Sequence, residues 1–218
     1  MTQKQRARST SDKQQRRAQI LDAALALWAE RTFASFTMAE VAERCGLAKG
    51  TPYLYFATKE ELFLALLERM LTAWFDALDA GLAAPETWGS ERGATLICAT
   101  LAANPHLARM LPIASSILEH NISPEAARAY KSLLLNRVAY SGGLLEARLP
   151  FLRGGEGTWL LLQVYALVVG LGQMADPAPV VRAILDEPAM APLRVAFGPM
   201  FAQALTLLLR GLATREDL

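Results

Sequence analysis

Cysteine and histidine are nearly absent, with two of each in 218 residues. Cys45 and Cys98 lie far apart and show no metal-ligand spacing, so reduced thiols in a cytoplasmic protein are expected. His106 follows a proline at a helix start. His120 falls at a helix end, where a cation is favoured. Neither is accompanied by a nucleophile or a metal-ligand pattern, so no catalytic residue, metal or cofactor is expected. A glycine-rich phosphate loop is missing, as are strand-period alternation and internal repeats. The N-terminus is polar and basic with no apolar core, which argues against a signal peptide.

Net charge is also small, at +1, but it is unevenly spread. Residues 1–59 hold 10 Lys/Arg against 5 Asp/Glu, whereas residues 60–218 hold 12 against 16. A basic front on an acidic body suits a nucleic-acid-binding head. Hydrophobic residues make up 53% of the chain and charged residues 20%. That balance implies extensive buried surface, some of it covered only in an oligomer.

Apolar spacing predicts an all-α chain. Residues 1–13 have almost nothing to bury and are expected to form a disordered basic arm, either floppy or reaching DNA through Lys4, Arg6, Arg8 and Lys13. A first helix is predicted from about Gln14 to Arg31, with Phe33 and Phe36 sealing a small core after it. Thr58 caps a long helix to about Ala80, with Glu61 at its third position. Further helices are expected from Pro85 to Ala103, from His106 to Glu119 with Pro112 kinking or dividing it, and from Ser123 to Leu149. A short helix near Val180–Leu185 and a last one from Leu193 to Leu212 complete the chain. The domain boundaries expected are a basic arm at 1–13, a DNA-binding domain at 14–57, and an effector-binding and dimerisation domain at 58–218.

Gly157–Ala175 carries no charged residue over a length that could span a bilayer. Gln163, Tyr165 and Gln173 lie inside it and no basic cluster flanks it. A helix buried on several sides is therefore expected, with Gly170 and Gly172 allowing close approach of a neighbour, and no membrane partner.

The stretch Thr37–Lys59 organises the rest. Thr37 with Glu40 is a capping-box pattern. Met38, Val41 and Ala42 share one helical face, Gly46 can take the left-handed conformation that stops a helix, and Leu47 plugs the corner. A second short helix follows, with Lys49, Gly50 and Tyr53 on one side and Pro52 and Phe56 on the other. This is the pattern of a helix-turn-helix, whose second helix enters a major groove. If Ala48 caps the second helix, Pro52 deletes a hydrogen bond. If Lys49 caps it, Pro52 costs little.

The motif Thr37-x-x-x-Val41-Ala42-x-x-x-Gly46-Leu47-x-Lys49-Gly50-Thr51-x-Tyr53-x-Tyr55-Phe56-x-x-Lys59-Glu60-Glu61-Leu62 resembles the DNA-binding motif of TetR-family transcriptional regulators, over about residues 14–62. Beyond it the resemblance is architectural. It implies a homodimeric repressor, released from a palindromic double-stranded DNA operator when a small effector binds the body. Position by position, it implies that Thr37 and Lys59 contact phosphate and that Lys49, Gly50, Thr51 and Tyr53 face the groove and its walls. Tyr55 either touches DNA or packs beside Phe56. Pro52 departs from the aliphatic residue common at that position.

An apolar effector pocket is expected between the long helix and the body helices. Trp74 and Leu78 would line it from the long helix, and Leu101 and Met110 from the next two. Asn136, Trp159, Leu162, Gln163 and Tyr165 would line it from the later ones, with Ser115 a further polar contact. Dimerisation is expected through residues 158–175 and 193–212, which carry more apolar surface than one protomer covers. Two other functions fit less of the pattern: an effector-independent DNA-binding regulator or activator, and a metabolite-binding enzyme with a vestigial head.

Overall fold

A computed structural model describes residues 3–83, 85–114, 116 and 118–215. Among these residues there are nine α-helices and no strand: α1 Gln3–Glu30, α2 Met38–Arg44, α3 Lys59–Gly81, α4 Ser90–Ala102, α5 Pro105–Ala114, α6 Pro124–Arg148, α7 Glu156–Ala175, α8 Pro179–Leu185 and α9 Phe197–Thr214. The chain divides into two compact units, Met1–Arg69 with Ser115–Arg128 and Met70–Ala114 with Ala129–Leu218. Helices α3 and α6 each give residues to both. The expected effector contact Ser115 lies outside the described residues, as do the side chains of Lys4, Arg6 and Arg8.

In the first unit, α1 starts at Gln3, well before the expected Gln14, so much of the predicted disordered arm is helical. Nothing between Gln3 and Lys13 stops a helix: there is no Gly or Pro. Once the apolar second half is packed, extending the helix backwards needs no new nucleation. That second half buries Ile20, Leu21, Ala24, Leu27 and Trp28. The core closes on Phe63 of α3, which meets Trp28 edge-on at 5.8 Å, Phe33 edge-on at 5.0 Å and Phe36 at 5.4 Å between ring centroids. Such pairs contribute about 0.5–1.5 kcal/mol each beyond their buried area.

α3 is capped as its sequence predicts. Thr58 Oγ1 accepts from Glu61 N at 3.0 Å, and Glu61 Oε2 accepts from Ala57 N at 3.1 Å. The same turn holds the segment that leads into α6. Thr58 Oγ1 donates to Asn121 O at 2.8 Å, Asn121 Nδ2 donates to Glu60 Oε2 at 3.1 Å, and Ser123 N donates to Glu61 Oε1 at 3.0 Å. These bonds hold the Glu61 carboxyl below the ordinary glutamate range, the Ser123 amide contributing most.

In the second unit, α4 packs on α9 and α5, and α7 packs on α5 and α9. Pro112 lies inside α5, which runs on past it as one helix. α6 and α7 cross at two glycines. A Cβ on Gly157 would lie 2.0 Å from Gly142 O, and one on Gly142 would lie 2.7 Å from Thr158 N. Gly142, which in isolation only weakens a helix interior, is thus half of a backbone-to-backbone contact. Gly172 packs on Pro112 as a close approach requires, with 2.9 Å from its hypothetical Cβ to Pro112 Cγ, whereas Gly170 faces open space.

Two polar links fasten this unit. Arg137 of α6 reaches Asp76 Oδ1 at 2.6 Å and Asp79 Oδ2 at 3.1 Å on α3, and the fully buried Ser141 donates to Asp79 Oδ1 at 2.6 Å. At the other end, Arg215 beyond α9 makes two bonds to the Glu156 carboxylate at the start of α7, at 2.5 and 2.6 Å. Arg215 first, and the Arg153 amide second, pull the Glu156 pKa from 4.5 to about 2.

The glycine crossing and the Glu156–Arg215 link each generate an expectation. Gly157→Ala forces the α6–α7 backbones apart and lowers stability by on the order of 1–3 kcal/mol, read as a lower urea midpoint. Glu156 has a folded-state pKa below its unfolded value, so its link stabilises the fold fully above about pH 4.5. That contribution is lost as pH falls through about 2. Glu156→Gln accordingly flattens the acid limb of stability between those pH values, measured by thermal melts against pH.

Candidate functional site

Thr37 opens α2 through the capping box that its sequence predicts. Its Oγ1 accepts from Glu40 N at 3.3 Å, and its amide donates to Glu40 Oε2 at 2.7 Å. Arg31 grips the same carboxylate at 2.8 Å, and this bond, with the Thr37 amide, holds the Glu40 pKa down. α2 ends in a Schellman turn: Gly46, at φ +67°, donates its amide to Glu43 O at 3.0 Å, and Leu47 N reaches Ala42 O at 2.9 Å. Only a residue without Cβ adopts that φ without strain, so Gly46 sets the angle at which the chain leaves α2.

The second motif helix is a single 3₁₀ turn, Thr51–Leu54, entered through bonds from Thr51 N to Ala48 O and Tyr53 N to Gly50 O. Gly50 is its cap, neither Ala48 nor Lys49, and Pro52 therefore sits in the first turn, where no amide is required. Pro52 and Phe56 are buried beneath the turn. Anchoring them leaves Lys49, Gly50, Tyr53 and Leu54 outside, with Thr51 and Tyr55 half-exposed. Nothing lies within 4 Å of where a Gly50 Cβ would be, so its backbone is open to close approach. The Arg17 guanidinium stacks 5.0 Å over the Phe56 ring, which brings α1 up behind the turn.

Two residues differ from the sequence reading. Leu54 was not singled out, yet at 77% exposure it stands further out than Tyr53 at 55%. The signal is the Pro52–Phe56 spacing, since two buried anchors four apart turn the first two of the three intervening residues, Tyr53 and Leu54, to the outer face. Lys59, expected to hold phosphate, turns inward. Its ammonium donates to the carbonyls of Phe33 and Phe36 and lies 4.3 and 4.6 Å from their ring centroids. Burial lowers its pKa, with Glu60 and Glu40 acting the other way. Thr37, Lys49, Gly50, Thr51, Tyr53 and Tyr55 thus lie on or beside one short stretch, and Lys59 braces it from behind.

The second unit holds a partly open apolar cavity of about 300 Å³. Trp74, Leu101, Leu162 and Tyr165 line it, as the sequence suggests. The other five expected residues do not. Leu78 and Met110 are packed to zero exposure, Asn136 is exposed, Trp159 is 43% exposed, and Gln163 lies elsewhere on α7. The sequence reading missed the wall formed by α6. Tyr130, Leu134 and Val138 recur every four residues and present one stripe, with Lys131 beside it. Asn136 lies off that stripe. No group of three or more metal-ligating side chains occurs among the described residues.

A capped helix, a glycine-enforced turn and a short outward-facing second helix define a helix-turn-helix DNA-binding protein. Residues 20–66 match the family model described as bacterial regulatory proteins, tetR family, and residues 68–216 match the tetracyclin repressor-like C-terminal domain. The chain belongs to the TetR family of transcriptional regulators, which is non-enzymatic. It is 35% identical over 78 residues to the uncharacterized HTH-type transcriptional regulator YfiR of Bacillus subtilis (36% of this chain, 38% of that protein). It is 31% identical over 61 residues to the fatty acid metabolism regulator protein of the same organism (28% and 31%). These alignments therefore span about a third of each curated relative. Among solved structures, a TetR/AcrR-family regulator from Thermobifida fusca shares the fold at TM-score 0.57 and 18% identity, over 94% of this chain and 100% of that one. FadR from Bacillus subtilis, solved in complex with stearoyl-CoA, does so at TM-score 0.50 and 18% identity, over 87% and 97%.

The inward Lys59 yields a direct expectation. Lys59→Met leaves two carbonyls without their donor and costs on the order of 1–3 kcal/mol of stability, whereas Lys49→Met on the outer face changes it by less than about 0.5 kcal/mol. Urea unfolding of the two variants separates a brace from a surface phosphate ligand.

Proposed function

We propose that this TetR-family regulator is a cytoplasmic homodimeric repressor that leaves a palindromic operator when an apolar or amphipathic small molecule fills its cavity. The observation that carries this reading is the cavity, about 300 Å³ and walled almost wholly by apolar side chains, in the unit that follows the DNA-binding head. Small-molecule sites have this size range and composition. The stearoyl-CoA bound by Bacillus subtilis FadR supports an effector with an apolar portion.

At the operator, Lys49 and Tyr53 face the groove with Thr51 beside them, and Gly50 lets the backbone approach. Leu54 offers an apolar surface to a thymine methyl group. Thr37 contacts phosphate at the start of α2, Tyr55 flanks the turn, and Lys59 acts by holding the turn's support in place. Exposed Trp159, Leu162 and Met174 on α7 and Met200 and Leu207 on α9 supply the apolar surface of a dimer interface. By length and composition Glu156–Ala175 and Pro188–Thr214 could each cross a membrane, but the second is broken by non-helical residues 194–196. A dimer interface accounts for their exposed faces. A two-fold dimer then meets two half-sites on one side of the duplex. Effector binding shifts α3, which lines the cavity with Leu71, Trp74 and Phe75 and begins at the capped turn of the head. A bias of a few kcal/mol between two arrangements is enough to release DNA.

Selection of the full-length protein on randomised duplexes is expected to return an inverted repeat. Lys49→Ala and Tyr53→Ala each weaken binding to it by about tenfold or more at fixed salt, with an unchanged dimer mass by light scattering. Unchanged affinity in both variants removes these residues from the interface. Operator binding that no apolar compound disturbs would favour an effector-independent regulator.

A further inference from the structure

The chemistry of the cavity wall narrows the ligand class, an inference that rests on the effector reading above. Of the fifteen lining residues none is acidic and one, Lys131, is charged. The α3 carboxylates nearest those wall residues in sequence, Glu68, Asp76 and Asp79, do not line the cavity, and Asp76 and Asp79 are bonded to Arg137. The remaining polar groups on lining side chains are the Tyr130 and Tyr165 hydroxyls. Trp74 contributes its ring to the wall, since its Nε1 has no surface open to the cavity. An ammonium can only donate, and its charge favours an anionic acceptor. The wall therefore offers one positive charge and no carboxylate that would balance a cation.

Size sets a second limit. At ~30 Å³ per heavy atom, the share of one water in the liquid, the cavity holds a chain of about ten heavy atoms. We infer that the site takes an apolar molecule of about that length bearing a hydrogen-bond acceptor, above all an anionic carboxylate, and that it rejects lipophilic cations. The carboxylate pairs with Lys131, which is exposed and lies 5.1 Å over the Tyr130 ring. The apolar chain fills the space between α3, α6 and α7.

The test is calorimetric titration of the full-length protein at pH 8 with decanoic acid, decan-1-ol and decyltrimethylammonium. Decanoate is expected to bind at least about tenfold tighter than decanol, and the ammonium more weakly than either. From hexanoate to decanoate, affinity rises by about fourfold per methylene and then levels off. Lys131→Met brings decanoate to within about threefold of decanol while leaving decanol unchanged. A cation that binds as tightly as decanoate overturns the inference and leaves the effector reading standing. So does a Lys131→Met variant with undiminished preference for the acid. If none of the three binds a protein that still binds its operator, the effector reading falls with it.

Discussion

The first turn of α3 is the junction on which the DNA-binding unit depends. Lys59 ties the carbonyls of the α1–α2 connection, Thr58 and Glu61 close the helix end, and Glu60 and Glu61 hold the segment leading into α6. One residue further on, the buried pair Leu62 and Phe63 fills the head core. A helix start leaves unsatisfied amides, and side chains that satisfy them are oriented by the same bonds. Chemistry that any helix needs has here been extended to organise two other parts of the chain.

This arrangement explains why so short a second motif helix suffices. Four residues of 3₁₀ helix have little stability of their own. They are held by Pro52 and Phe56 below, by Arg17 stacked on Phe56, and by the left-handed Gly46 that aims the chain after α2. Because Pro52 falls in the first turn, its fixed φ stiffens the segment at no cost in hydrogen bonds. With the turn supported from below, Tyr53 and Leu54 are left on its outer face.

In the second unit, stability and binding divide between contacts of different kinds. Gly142 against Gly157 brings two backbones close, and Gly172 lies against the Pro112 ring, so both crossings are crowded by an added carbon. The cavity lies where side chains along α3, α6 and α7 do not fill the space. Arg137 with Asp76, Asp79 and Ser141 fastens α3 to α6, and the carboxylates it neutralises are kept off the cavity wall.

By itself the sequence determined the all-helical class, the capping box at Thr37, the stop at Gly46, the cap at Thr58 and the family. Each rests on a local rule in which a residue type and a spacing of a few positions fix the backbone. It also located Trp74, Leu101, Leu162 and Tyr165 at the cavity, because they are large and recur on apolar faces. Tertiary structure decided what spacing cannot. It turned Lys59 inward and made Gly142 a crossing point. It packed Leu78 and Met110 solid, left Leu54 outside, and gave the cavity its α6 wall. Those outcomes depend on which partner a face meets across tens of residues, and helical periodicity says which residues share a face without saying what the face will touch.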